Sequence, residues 1–141
     1  MKFTVVMAAA LLGLVWVPAI HADDALAGAL EKVSKDQIEA FNRADIAATM
    51  ALAHSKSPTY QAAEAMLTDY FKDQKLKAEQ VSFKYIGHDD EFALARVKVN
   101  VTAPEAEGFQ PTVADTVTLF HQEGGSWKIW DAYLIGGELG K

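Results

Sequence analysis

Residues 123–131 read Glu123-Gly124-Gly125-Ser126-Trp127-Lys128-Ile129-Trp130-Asp131. Two adjacent glycines supply the φ > 0 that a two-residue hairpin turn demands. The flanking residues 112–122 and 127–135 therefore predict two antiparallel strands. Upstream, residues 92–101 are rich in β-branched side chains and predict a third strand. Val81, Phe83 and Tyr85 alternate with Ser82 and Lys84 in a fourth, joined to it by the turn Gly87-His88-Asp89-Asp90-Glu91. Residues 102–110, with Pro104, Gly108 and two glutamates, form the one real loop.

Before Lys77 the apolar period changes from 2 to about 3.6. Leu26, Leu30, Val33, Ile38 and Phe41 fall near one face of a helix over residues 23–42. Ser34-Lys35-Asp36-Gln37 has the form of a capping box, but the apolar stripe runs through it in phase, which predicts one continuous helix. Asp45 can accept from the free N–H groups of a short second helix over 46–52. Ser57-Pro58 marks the start of a third, running to about Gln74 and burying Tyr60, Ala63, Leu67, Tyr70 and Phe71. Three N-terminal helices followed by four strands predict an α+β domain, with the helices packed on one face of a curved, mostly antiparallel four-stranded sheet.

The chain opens MKFTVVMAAALLGLVWVPAIHA, which has the form of an export signal: Lys2, an uncharged apolar run over 3–17, Pro18, and a small residue at Ala22. An uncleaved anchor is the alternative, but a spanning helix needs about 20 apolar residues, and Pro18 with Ala22 favours cleavage. The expected domains are a signal peptide at 1–22 and one domain at 23–141, in the periplasm or secreted, without stable membrane insertion after cleavage. Losing Lys2 takes the net charge from −6 to −7, which argues against nucleic acid or an anionic membrane surface as partner. There is no cysteine, so disulfides, thiol chemistry, thiolate metal sites and a lipoprotein anchor are excluded.

Three stretches carry a family likeness. Ala40-Phe41-Asn42-Arg43-Ala44-Asp45-Ile46 resembles the helix-to-helix junction "A-x-N-x-G-D" of the nuclear transport factor 2-like superfamily, with Ala44 where glycine is usual. Ser57-Pro58-Thr59-Tyr60 is similar to the start of its next helix, and the 123–131 segment to its closing hairpin. The resemblance implies a cone-shaped fold with a pocket between concave sheet and helices. Its members include ketosteroid isomerase, scytalone dehydratase and polyketide cyclases, alongside domains that bind without catalysis. Isomerase-like members place a catalytic carboxylate after the second helix. Here that segment, Leu52-Ala53-His54-Ser55-Lys56-Ser57-Pro58, has neither Asp nor Glu.

Asp131 is the foremost candidate. With a two-residue turn at Gly124-Gly125, Thr118 is expected opposite Asp131 and Thr116 opposite Tyr133. That would gather a polar group beside Trp130, Phe120 and Ile129, a mixed lining suited to a ligand. The expected ligand-binding residues are thus Tyr60, Thr116, Thr118, Trp130, Asp131 and Tyr133, with Asp131, Asp115 and His54 as catalytic candidates. A structural role for each stays open: an ion pair with Lys or Arg or a backbone cap at a sheet edge for Asp131, solvent near the sheet end for Asp115, a surface or capping position for His54. His54, His88 and His121 lack metal-ligand spacing, and His88-Asp89-Asp90-Glu91 reads as a solvated turn rather than a cation loop. No cofactor or metal is expected. Arg96, Lys98 and Asn100 alternate along their strand as a solvated strip or a homodimer contact. The reading that follows is an exported domain binding a small apolar or amphipathic ligand or an envelope protein. A cofactor-independent isomerase, dehydratase or cyclase is the alternative.

Overall fold

The computed structural model describes residues 21–73 and 75–137. The expected signal falls almost wholly outside these residues, as does the tail from 138. Three helices, α1 (His21–Asn42), α2 (Ile46–Ala51) and α3 (Tyr60–Asp73), precede four strands. These are β1 (Lys77–His88), β2 (Phe92–Thr102), β3 (Thr112–Glu123) and β4 (Ser126–Gly136). The strands form an open antiparallel meander in the order β1-β2-β3-β4. Among the described residues, no helix is long and apolar enough to cross a membrane.

As its apolar phase predicts, α1 is unbroken at Ser34. The Ser34 hydroxyl is buried and donates to Gln80 Oε1 at 2.8 Å, tying the helix to the sheet instead of capping it. The junction after α1 closes as a Schellman motif. Ala44 N–H donates to Phe41 O at 2.9 Å and Asp45 N–H to Ala40 O at 3.0 Å. Asp45 then caps α2, its Oδ1 accepting from Ala48 N–H at 2.9 Å. This geometry puts Ala44 at φ 55°, a left-handed conformation that costs an L-residue about 1–2 kcal/mol. Ala44 is exposed, so Ala44→Gly removes no packing. After allowing for glycine's greater freedom in the unfolded chain, it should stabilise the domain by about 0.5–1 kcal/mol, read as a higher urea midpoint with unchanged slope. No gain would mean that the strain is relieved in another way.

The core joins one face of α1 to the inner face of the sheet: Leu30, Ala93, Ala95, Val97, Phe120 and Ile129, flanked by Val33, Phe83 and Trp127. Ala93 lies directly opposite Phe120, so a small side chain makes room for a large one.

Four register breaks shape the sheet. Val81 and Ile86 are the extra residues in β1, Trp130 and Ile135 those in β4. An extra residue sends the following side chains to the opposite face from that expected. Val81, expected to alternate inward with Phe83 and Tyr85, is therefore 58% exposed. Two further expectations change. Tyr70, placed on the buried stripe of α3, is 40% exposed, because the described part of α3 packs through Ala63, Leu67 and Phe71. The third helix begins at Tyr60, two residues after Pro58. Ser57 holds the intervening turn, its Oγ accepting from Thr59 N–H at 3.2 Å and its carbonyl from Tyr60 N–H at 3.2 Å.

Candidate functional site

Between the helices and β4 lies a cavity of 470 Å³, within the usual size of small-molecule sites. Ile38 and Phe41 of α1, Met50 of α2, and Ala63, Met66 and Leu67 of α3 give it apolar walls, with Ile129 and Trp130 of β4 on the remaining side. The polar groups are few: Gln37, Thr49, Ser57, Thr59, Tyr60 and Asp131. Among the described residues that line it, Asp131 carries the one carboxylate.

The sequence brings these groups together through two local devices. After α2 the chain runs beside β4 for three residues: His54 N–H donates to Ile129 O and Ile129 N–H to Leu52 O, both at 2.8 Å. That short bridge brings Ser57, Thr59 and Tyr60 up to the β4 edge. The second device is the extra residue at Trp130. The turn has the expected two residues, Gly124 and Gly125 at φ 60° and 79°, between paired Glu123 and Ser126. Because of the break, however, Asp131 lies opposite Leu119, Tyr133 opposite Val117, Thr118 opposite Ala132 and Thr116 opposite Leu134. The expected pairing of Thr118 with Asp131 and of Thr116 with Tyr133 is thus corrected by one position.

The Asp131 side chain is held at the cavity wall. Its Oδ1 accepts from Ala132 N–H at 2.8 Å and from the Thr59 hydroxyl at 3.5 Å, and Thr59 Oγ1 is 3.0 Å from Ser57 Oγ. The neighbouring carboxylate raises the Tyr133 phenol above its usual pKa, by hydrogen bonding first and by charge second. A carboxylate flanked by two hydroxyls on an otherwise apolar wall can orient one polar end of a bound molecule.

Of the expected site residues, Tyr60, Trp130 and Asp131 line this cavity. Thr116, Thr118 and Tyr133 are not among its lining residues. Thr118 is buried and Thr116 Oγ1 donates to Val97 O at 3.2 Å, while Tyr133 is 56% exposed. Gln37, Thr49, Ser57 and Thr59 also line the cavity, although nothing in the sequence pattern marks them as site residues. In the sequence Ser57 and Thr59 read only as punctuation of a helix start.

Asp115 lies elsewhere, on the opposite side of the sheet from the core. Arg96 grips it with two bonds, Nε to Oδ1 at 2.8 Å and Nη2 to Oδ2 at 2.6 Å, and Lys98 Nζ stands 3.7 Å away. Arg96 holds the Asp115 carboxyl below its usual pKa, chiefly by hydrogen bonding. A depressed carboxyl contributes stability above its unfolded pKa and loses it as pH falls through the folded value. The wild-type domain should therefore lose this contribution below about pH 4, near the unfolded Asp pKa. Asp115→Asn should be less stable at pH 7 and lose less between pH 4 and pH 2, measured by denaturant midpoints. Parallel pH profiles for the two proteins would contradict this assignment.

His54 is buried at 4% exposure, which corrects the expectation of a surface position. Its Nδ1 accepts from Lys56 N–H at 3.1 Å, a turn-capping role. Its ring meets His121 and Trp130, each at 4.8 Å between centroids. Among the described residues, no group of three potential metal ligands comes together.

The architecture and cavity define a domain of the nuclear transport factor 2-like fold. A variant of Rv3472 from Mycobacterium tuberculosis, a protein of unknown function, superposes with a TM-score of 0.73 at 11% identity, over 86% of this chain and 76% of that one. A putative scytalone dehydratase from Novosphingobium aromaticivorans gives a TM-score of 0.66 at 10% identity, covering 84% and 90%. An NTF-2 like protein of unknown function from Shewanella oneidensis gives 0.59 at 15% identity, covering 76% and 96%. At these identities the likeness is one of fold. Residues 32–135 match the family described as Anti-sigma-I factor RsgI9, C-terminal domain, and the chain belongs to that family. No curated protein matches the sequence.

Proposed function

We propose that this chain is an exported, non-catalytic domain that holds a small apolar or amphipathic molecule in the cavity between its helices and β4. The observation that carries the reading is the cavity wall: every element that lines it contributes apolar side chains, and Asp131 is the sole charged residue among the described lining residues. General acid–base chemistry on a small substrate calls for a positioned acid and base within reach of the same atoms. The groups that would assist Asp131 do not line the cavity: Asp115 is engaged by Arg96, and His54 caps a turn. The family name, a domain of an anti-sigma factor, also supports a regulatory or binding role over an enzymatic one. A protein partner in the envelope fits the same regulatory reading, and a second copy would seat on the strip of Arg96, Lys98 and Asn100.

The test is native mass spectrometry of the protein purified gently from the envelope fraction of its own organism. A retained small-molecule mass supports the reading, a start at Asp23 supports export, and a doubled mass supports the homodimer. A bare mass at every concentration counts against a tight binder. The competing reading is an isomerase, dehydratase or cyclase with Asp131 as acid or base. Asp131→Asn separates the two: an enzyme would lose about 10²–10⁴-fold in rate while still folding, whereas a binding domain would change affinity by only a few-fold.

A further inference from the structure

Phe41 borders two cavities. On one side is the apolar cavity already described. On the other is a second, of 410 Å³, enclosed by Phe41 and Ala44 at the end of α1, Phe71 of α3, and Leu76 and Pro104. The Phe41 and Phe71 rings meet at 5.2 Å with a 56° tilt, and Phe41 is the residue common to both cavities. Ala63, Leu67 and Phe71, spaced four apart, make one stripe of α3 that leads from the first cavity to the second.

The charged rims of the two cavities differ in sign. The first has Asp131. The second has Arg43, Lys75 and Lys77 against Glu105, a local positive excess in a chain of net charge −6. Lys77 Nζ donates to Asn42 O at 2.6 Å and so answers a carbonyl at the end of α1. Lys75 pairs with Glu105 at 2.6 Å, with the two side chains 74% and 65% exposed. An ion pair so open to water is weak and yields readily to a competing anion. Arg43, also exposed, offers a planar fork that matches a carboxylate.

We propose that the two cavities act as one site for a single-chain anionic amphiphile, with the alkyl tail in the apolar cavity and the acidic head beside Arg43 and Lys75. The proposal rests on the reading of the first cavity as a ligand site and adds the ligand's class and orientation. The reverse orientation would set the head against the Asp131 carboxylate and leave the tail among cations.

Decanoate and decanol, which share a chain and differ at the head, serve as probes in calorimetric titrations of the mature protein. In wild type, decanoate should bind about tenfold more tightly than decanol at low salt, and added salt should narrow the gap. Lengthening either chain should tighten binding about fourfold per CH₂ until the cavity is full. Arg43→Glu combined with Lys75→Glu alters two exposed side chains. It should erase the preference for decanoate while leaving decanol binding unchanged. Equal binding of the two probes to wild type, or a preference that survives the double charge reversal, overturns the proposal and leaves the cavity reading standing. Failure of both probes to bind overturns the two together.

Discussion

Replacing Phe120 with alanine is expected to remove about 3–5 kcal/mol of folding stability. Phe120 is fully buried on the inner face of β3, opposite Ala93 and Ile129 and under α1. Its two cross-strand neighbours cannot both close the gap. Ala93 has only a methyl group, too short to reach into the gap, and Ile129 is held through its own backbone by the bridge to Leu52 and His54. The full loss of transfer energy plus a residual void should therefore appear. Domains of this size have only about 5–15 kcal/mol in total, so the variant should sit near the edge of folding. Val81→Ala, on an exposed extra residue of β1, is the companion measurement, with a change within about 0.5 kcal/mol. Urea midpoints compare the two. A Phe120→Ala loss as small as that of Val81→Ala would mean that the centre of the core lies elsewhere.

Ala63→Trp is expected to close the apolar cavity. Ala63 lies on the wall of α3 that faces Phe41 and Met50 across open space, so an indole there would occupy volume that a ligand needs. Excluding three or four methylenes of a bound chain costs about 2.7 kcal/mol, or about 100-fold in affinity for decanol. The melting temperature should hold or rise, because an empty apolar volume is being filled. Calorimetric titration reads the affinity and a thermal melt reads the fold. Undiminished binding of decanol by a folded Ala63→Trp protein would move the ligand site away from this cavity.

Much of the scaffold was legible in the residues. The unbroken phase of Leu26, Leu30 and Val33 carried α1 past a capping-box pattern, and the diglycine turn set the closing hairpin. Asp45 was readable as a cap because its side chain answers an N–H three residues on, a purely local event. The candidate site was less legible, and for one physical reason. Its key wall depends on which residue of β4 is the extra one, and strand composition does not mark that residue. Trp130 looks like any other apolar strand position, yet its insertion moved Asp131 from Thr118 to Leu119. The histidines show a second limit. His54 and His121 are far apart in sequence and carry no motif. They meet only because residues 52–54 run alongside β4.

The four extra residues also bear on how this protein behaves when concentrated. All of them fall in β1 and β4, the two strands at the margins of the sheet, and none between β2 and β3. A marginal strand offers unpaired N–H and C=O groups on which a second molecule can build. An interrupted ladder is a poor template, because an incoming strand in regular register loses its bonds at each irregularity. On β1 the breaks at Val81 and Ile86 combine with Lys77 and Lys84 along the strand. On β4, residues 52–54 occupy the rim at Ile129, and the breaks at Trp130 and Ile135 fragment what lies beyond. The irregularities that move Asp131 from Thr118 to Leu119 thus also discourage fibre-like growth from exposed Val81, Ile86 and Ile135, and straightening either strand would favour aggregation.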